Sequence, residues 1–191
     1  PVYNNKLGDF NAAIRSLKLK RGYQATFATN SDGAGYSRVF IADQEDIELP
    51  VLPELLDGTI AFIRVFKHQW VTKKGWCGWN GNDFVAMDVT WYYDWNVGGN
   101  TSQNFEYTPI KQHGHWPSWT DINNKTNVSQ VLGYNEPDRP DQANLKFDDA
   151  FAMWPEIQKS GLRIGSPATS DPFNGWSLYN FIDKCDEVGY R

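Results

Sequence analysis

Val131-Leu132-Gly133-Tyr134-Asn135-Glu136-Pro137-Asp138 is the stretch on which the reading of this chain turns. It is apolar through Val131 and Leu132 and then breaks into polar residues at Asn135-Glu136-Pro137, the profile of a buried strand that ends in a loop. In parallel α/β folds the C-terminal ends of such strands open into the mouth of the molecule, where a carboxyl is presented for chemistry. The stretch predicts a strand over Val128 to Asn135, a parallel sheet around it, and Glu136 at the mouth. A lone Asn-Glu-Pro would be an ordinary strand-to-loop turn, so its surroundings decide the matter.

Working outward, Phe147 to Lys159 carries Phe147, Ala150, Phe151, Trp154, Ile157 and Gln158 at helical spacing, with Gly161 as a stop. A strand follows at Leu162 to Ser166. Ser177 to Val188 then reads as a second helix, with Leu178, Phe181, Ile182 and Cys185 on one face and Gly189 ending it. On the N-terminal side, strands are predicted at Gly75 to Trp79, Asp88 to Trp95 and Tyr107 to His113. Strands that alternate with loops and helices imply a parallel sheet, here over residues 71–191.

Residues 1–70 read differently. Lys18 to Ala28 alternates, turns at Asn30-Ser31-Asp32-Gly33-Ala34-Gly35, and pairs as a hairpin with Ser37 to Ala42. Further strands are predicted at Ile47 to Leu49 and at Thr59 to Phe66. The region is expected to be a sandwich-like accessory unit, incomplete in itself because four strands are few for a freestanding sandwich.

Composition narrows the function. A net charge of -5 and a charged fraction of 21% give no basic footprint for nucleic acid or an anionic membrane. No apolar run approaches the roughly 20 residues that span a bilayer. Nine Trp, nine Tyr and eleven Phe make 15% of the chain. Flat apolar rings suit the C–H faces of sugars, whose hydroxyls stay solvated at the rim. The start at Pro1-Val2-Tyr3 has neither a basic nor an apolar leader, so the expectation is a cytosolic protein or one whose leader has been removed. Cys77, on the inner side of the first parallel strand, and Cys185, on an outer helix, are expected on opposite sides, beyond the roughly 7 Å limit for a disulfide, and hence free.

Six blocks carry a resemblance: Lys73-Lys74-Gly75, Trp91-Tyr92-Tyr93-Asp94-Trp95, Tyr107-Thr108-Pro109-Ile110, Val131 to Asp138, Trp154-Pro155-Glu156-Ile157-Gln158 and Arg163-Ile164-Gly165-Ser166-Pro167-Ala168. In this order they resemble the catalytic core of glycoside hydrolase family 128, a clan-A group typified by fungal and bacterial β-1,3-glucanases. The resemblance implies a (β/α)8 TIM barrel, of which residues 71–191 would form five βα units. It also implies a retaining mechanism with Glu136 as acid/base, Asn135 as its neighbour, and a nucleophilic Glu that lies outside this chain. The approach to the third strand departs from the family: Lys111-Gln112-His113-Gly114-His115-Trp116 stands where an apolar stretch ending in Trp-Gly is more usual. That departure bears on which glycan is preferred, not on Glu136.

A carboxyl beside an amide and walled by aromatics suits a glycosidase acid, because partial desolvation keeps its proton until the leaving oxygen takes it. Trp95, Lys111, His113, Trp116, Trp119, Tyr134 and Trp176 are the candidate substrate contacts. Asp94 and Asp138 are read as groups that order loops. His113 and His115 share a strand face, but zinc wants three or four ligands, so no metal and no cofactor are expected. The expected partners are a polysaccharide or oligosaccharide and a C-terminal remainder of the same protein, at a secreted, periplasmic or cell-surface location. The expected activity is endo-acting hydrolysis of a β-linked glycan, with β-1,3-glucan first and an algal galactan such as agar or porphyran as an alternative. The rival class is a non-catalytic carbohydrate-binding protein.

Overall fold

The computed structural model describes residues 2–4, 6–173 and 175–191. The N-terminal region holds β1 (Val2–Asn4), β2 (Leu17–Leu19), β3 (Tyr23–Ala28), β4 (Ser37–Ala42), β5 (Ile47–Leu49) and β6 (Phe62–Lys67). Four of these form an antiparallel sheet in the order β1-β6-β3-β4, and β2 pairs with β5 as a separate ribbon. Alternation along β3 explains the packing. Ala25 and Phe27 face the ribbon and join a core with Leu19, Leu52, Leu56 and Ile60. Gln24 and Thr26 face the other way and are also buried, against the second half of the molecule. The expected sandwich is therefore one four-stranded layer, covered by a ribbon on one face and by the α/β part on the other. The strand expected from Thr59 starts only at Phe62, because Thr59 closes a turn onto Leu55 and Leu56.

The second half runs β7 (Gly75–Cys77), α1 (Gly81–Ala86), β8 (Trp91–Tyr93), β9 (Glu106–Tyr107), α2 (Trp119–Asn123), β10 (Gln130–Val131), α3 (Phe147–Gln158), β11 (Arg163–Ile164) and α4 (Leu178–Val188). Strands β7, β8 and β9 are parallel neighbours, as are β10 and β11. The two groups meet through a parallel bridge between Ile110 and Leu132, so the strands lie side by side in chain order. The third strand, expected to be continuous from Tyr107 to His113, is broken: Pro109 has no N–H to donate, and His113 and Trp116 close a tight turn. These residues form an open parallel array and no closed barrel, with β7 and β11 at its edges. Of the five expected βα units, the second has no helix between its strands among the described residues.

Helices α3 and α4 fall within a residue of the expected positions. Ser177 caps α4 by accepting from the Asn180 amide, and Gly189 ends it at φ 75°, a conformation that suits glycine. α1 and α2 span too few residues to show a period; only their caps, Asn80 and Ser118, signal them. Between strands and helices lies the main core, including Tyr107, Ile122, Val131, Trp154, Ile157, Leu162 and Phe181. Both cysteines are free thiols as expected, but Cys77 is exposed on the edge strand and not enclosed.

The two halves meet at the turns that lead into β10 and β11. Thr26 Oγ1 donates to the Gly161 carbonyl at 2.7 Å, and buried Arg64 donates to the carbonyls of Lys125 and Ser160. Arg191 reaches back to the carbonyls of Gly33, Leu162 and Gln158. The Ser37 amide donates to the Gly189 carbonyl at 3.0 Å. Burial lowers the guanidinium pKa of Arg64 to about 10, and burial together with Arg64 lowers that of Arg191 to about 9. The β-rich region thus closes the lower end of the parallel array and leaves its upper end to the loops.

Candidate active site

The upper end is built from the loops that follow β7, β8, the Ile110 segment, β10 and β11. Gly133 explains how the decisive stretch fits: a Cβ there would lie 2.7 Å from the Gly165 carbonyl oxygen and 3.0 Å from Pro167 N. Glycine lets the chain after β10 run against the chain after β11. Asn135 bridges Ala168 in parallel, and the Glu136 amide donates to the Ala168 carbonyl at 2.7 Å. The Asn135 amide donates to the Gln112 carbonyl at 2.9 Å, and its side chain donates to Gln142 Oε1 at 3.1 Å. Glu136 is thereby fixed between the third strand and the chain after β11, five residues past Val131. β10 ends short of the expected Asn135, and the pairing continues only as bridges at Leu132 and Asn135.

Its backbone has φ 41°, a left-handed value that is costly for a residue with a Cβ. Trp95, just past β8, is in the same region at φ 61°. Strain of this kind persists only where surrounding bonds over-determine it; Ala12, Asp88, Asn127 and Asn144 share it elsewhere in the chain. The Glu136 side chain is about one-third exposed, with Arg139 Nε 3.7 Å from its Oε2. Arg139 is itself paired with Asp141 through two bonds of 3.0 and 2.8 Å. Asp138 turns toward the loop after β11 and accepts from Ser170 N, Ser170 Oγ and Asp171 N, consistent with a loop-ordering group.

Trp95 and Trp116 come together: both are partly exposed, at 39% and 46%, and the Trp116 indole N–H donates to the Trp95 carbonyl at 3.4 Å. Tyr93 meets Trp95 edge-on at 5.2 Å, and Trp91 stacks beyond Tyr93, so the alternating aromatics of β8 and Trp95, just past it, share a face. Half-buried His113 stands beside this pair. Its Nδ1 accepts from the His115 amide at 3.0 Å, and burial, followed by His115 and Lys111, lowers its pKa.

Four other candidates are placed elsewhere. Tyr134 is fully buried and meets Trp154 edge-on in the main core. Trp176 is 7% exposed, stacks on Phe181 and donates to the Leu145 carbonyl. Both face the helix side, so neither lies open to a substrate. Lys111 has no exposed surface: its ammonium donates to the Pro117 carbonyl and lies 3.8 Å from the Trp119 ring centroid. Trp119 is half-buried beneath it and packs on the core. The reason is common to all four: a loop assignment does not say which way a side chain turns, and a large ring or alkyl chain turns inward where a cavity can take it.

Two exposed rings of the upper loops were not singled out from sequence, Trp79 after β7 at 81% and Phe173 after β11 at 78%. The signal for Trp79 is its position two residues past β7, whereas Phe173, nine residues past β11, has none. Among the described residues no cluster of three or more His, Cys, Asp or Glu could hold a metal. No helix among them is long and apolar enough to cross a membrane.

The α/β half that carries this rim is similar to known proteins. The family described as glycosyl hydrolase catalytic core matches residues 70–190. A curated relative, alkali-sensitive linkage protein 1 of Schizosaccharomyces pombe, is 28% identical over 114 residues, which cover 56% of this chain and 21% of the relative. Among solved structures, a family 128 subgroup I endo-β-1,3-glucanase from Amycolatopsis mediterranei, in complex with laminaritriose and laminaribiose, is similar at TM-score 0.53 and 25% identity. It covers 61% of this chain and 52% of the enzyme. A family 128 subgroup III curdlan-specific exo-β-1,3-glucanase from Blastomyces gilchristii is similar at TM-score 0.47 and 26% identity, covering 61% of this chain and 57% of that one. The chain thus spans about half of the solved enzymes and about a fifth of the curated relative.

Proposed function

This chain belongs to the glycosyl hydrolase catalytic-core family, and we propose that it supplies the acid/base half of a retaining, endo-acting β-1,3-glucanase. In this reading residues 71–191 are the first five strands of a (β/α)8 barrel and residues 1–70 an accessory region docked beneath it. The observation that carries the proposal is the placement of Glu136: it lies just past the bridge of Asn135 to Ala168, beyond the C-terminal end of β10, with its amide on the Ala168 carbonyl.

Retaining chemistry needs two carboxyls about 5–5.5 Å apart across the sugar ring. Glu136 would protonate the leaving oxygen and then take a proton from the water that releases the glycosyl intermediate. Asn135 would meet a sugar hydroxyl, and Trp95 and Trp116 would stack on pyranose faces. The second carboxyl would come from the C-terminal remainder, so activity belongs to the full-length protein and not to these residues alone. Because the substrate is a polysaccharide, a secreted or cell-surface location fits.

Glu136→Gln in the full-length protein should lower hydrolysis of laminarin by roughly 10²–10⁴-fold while leaving laminaritriose affinity within about twofold. Measured turnover close to wild type would refute the acid/base role. The exposed Trp95 and Trp116 pair would also serve a protein that binds glycan without cleaving it. That reading predicts no turnover of any glucan by the wild-type protein, with binding intact. Turnover of agar or porphyran but not of laminarin would move the substrate to a galactan.

A further inference from the structure

Lys111 is the least expected buried group of the α/β half. It is a cation with no exposed surface, it forms no ion pair among the described residues, and nothing in the proposed chemistry uses it. Burial lowers its pKa to about 8, so the fold bears a desolvation cost to keep an amine at this position. Its backbone is fixed at the centre of the array: the Lys111 amide donates to the Leu132 carbonyl at 2.9 Å, one step from the contact that joins the third strand to β10. Its side chain leaves the strand and ends under the loop that carries Trp116. The ammonium donates to the Pro117 carbonyl and rests on the Trp119 ring, at the start of α2.

The same loop has few other ties. Trp116 and His113 pair through their backbones at 3.1 and 3.3 Å, which makes the turn but does not fix its tilt against the sheet. The Trp116 side chain has one polar contact, the 3.4 Å bond to the Trp95 carbonyl. The start of the loop is tied to the chain after β10 by the Asn135 amide on the Gln112 carbonyl at 2.9 Å. Beyond the His113–Trp116 turn a buried strut runs from Lys111 to the carbonyl of the residue after Trp116.

We propose that Lys111 is a positioning residue for the Trp116 sugar platform, acting through the Pro117 carbonyl and the Trp119 ring without touching the glycan. A ring stacks productively only when its plane is held, so a buried donor to the adjacent carbonyl sets affinity from below. Methionine can fill the channel of the lysine stem but cannot bond Pro117. Removing the ammonium therefore frees the loop and leaves the core filled.

The inference rests on the carbohydrate reading of the rim, and the test separates the two. In the full-length protein, laminaritriose affinity is measured by calorimetry for wild type, Lys111→Met, Trp116→Ala and the double variant, together with melting temperatures. The ¹H–¹⁵N indole signals of the tryptophans are recorded without ligand. Lys111→Met is expected to weaken binding roughly fivefold in the wild-type background and to cause no further loss once Trp116 is alanine, because the lysine acts through that ring. The Trp116 indole signal should shift or broaden in Lys111→Met. Affinity unchanged by Lys111→Met, or a loss that persists in full beside Trp116→Ala, would overturn the proposal. If wild type binds no laminaritriose, the glucan reading fails, and the indole signal then decides: a Trp116 signal identical in wild type and Lys111→Met overturns the positioning role.

Discussion

The two ends of the same parallel strands are built on opposite plans. At the lower end, loop carbonyls of Lys125, Gln158, Ser160, Gly161 and Gly189 are each taken by a side chain or amide from a distant part of the chain. The donors Thr26, Ser37 and Arg64 are buried, and Arg64 and Arg191 sit near the C-terminus of α3, where the helix dipole favours cations. At the upper end the loops are held by bonds to close neighbours or to the next loop. Left-handed non-glycine backbone occurs at both ends, at Asp88 and Asn127 below and at Trp95 and Glu136 above, but the upper loops leave the rings of Trp79, Trp95, Trp116 and Phe173 in water. A buried end with satisfied carbonyls is a device for stability, whereas an open end that leaves rings in water is one for contact with something else. Damage below should therefore cost folding free energy, and damage above should cost affinity or turnover.

Trp176 is the sharpest exception, since it lies in an upper loop but points into the core. Trp176→Ala should destabilise the protein by about 3–5 kcal/mol, as large aromatic truncations in packed cores do. Laminaritriose affinity per folded molecule should not change. Denaturant unfolding and calorimetry on the same preparation check both; an affinity loss with stability intact would return Trp176 to the rim. Arg64→Ala, at the lower end, should cost about 2–4 kcal/mol, because it leaves the Ser160 and Lys125 carbonyls without their charged donor. Its affinity for the same ligand should stay within twofold of wild type. If Arg64→Ala weakens binding as much as Trp116→Ala, the division between the ends is false.

The division also describes what could be read from sequence. The parallel half was legible because α3 and α4 are long enough to show a period and the Val131 to Asp138 stretch changes polarity at one point. The position of Asn135 and Glu136 past a strand end is legible for the same reason: a strand end is a property of the chain. Lys111, Trp119, Tyr134 and Trp176 were placed among substrate contacts because their loop or strand-end positions are visible while their direction is not. Direction depends on which cavity lies beneath, and that is set by residues far along the chain. The docking of the β-rich region was invisible on the same ground. Thr26 meets Gly161 across 135 positions, and no local pattern in either stretch announces the other.

Asp138 offers the smallest effect and the closest test of how the upper loops are held. Its carboxylate accepts from Ser170 N at 2.9 Å, Ser170 Oγ at 2.5 Å and Asp171 N at 3.1 Å, tying the loop after β11 to the one that carries Glu136. Burial alone would raise its pKa, but these hydrogen bonds override burial and hold it at about 2, below its ordinary 3.8. The folded state thus binds its proton less readily than the unfolded one. The stability it adds is complete above pH 3.8 and is lost as pH falls through about 2. Screening by solvent keeps the amount to about 1 kcal/mol or less. Asp138→Asn should melt slightly below wild type at pH 5, and the gap should close as pH is lowered through that window. Arg64 carries its charge throughout the same range, so the deficit of Arg64→Ala should stay constant there. Melting curves of the three proteins between pH 5 and 2 compare the two plans directly. A gap between Asp138→Asn and wild type that does not narrow would mean that its carboxylate does not hold the rim.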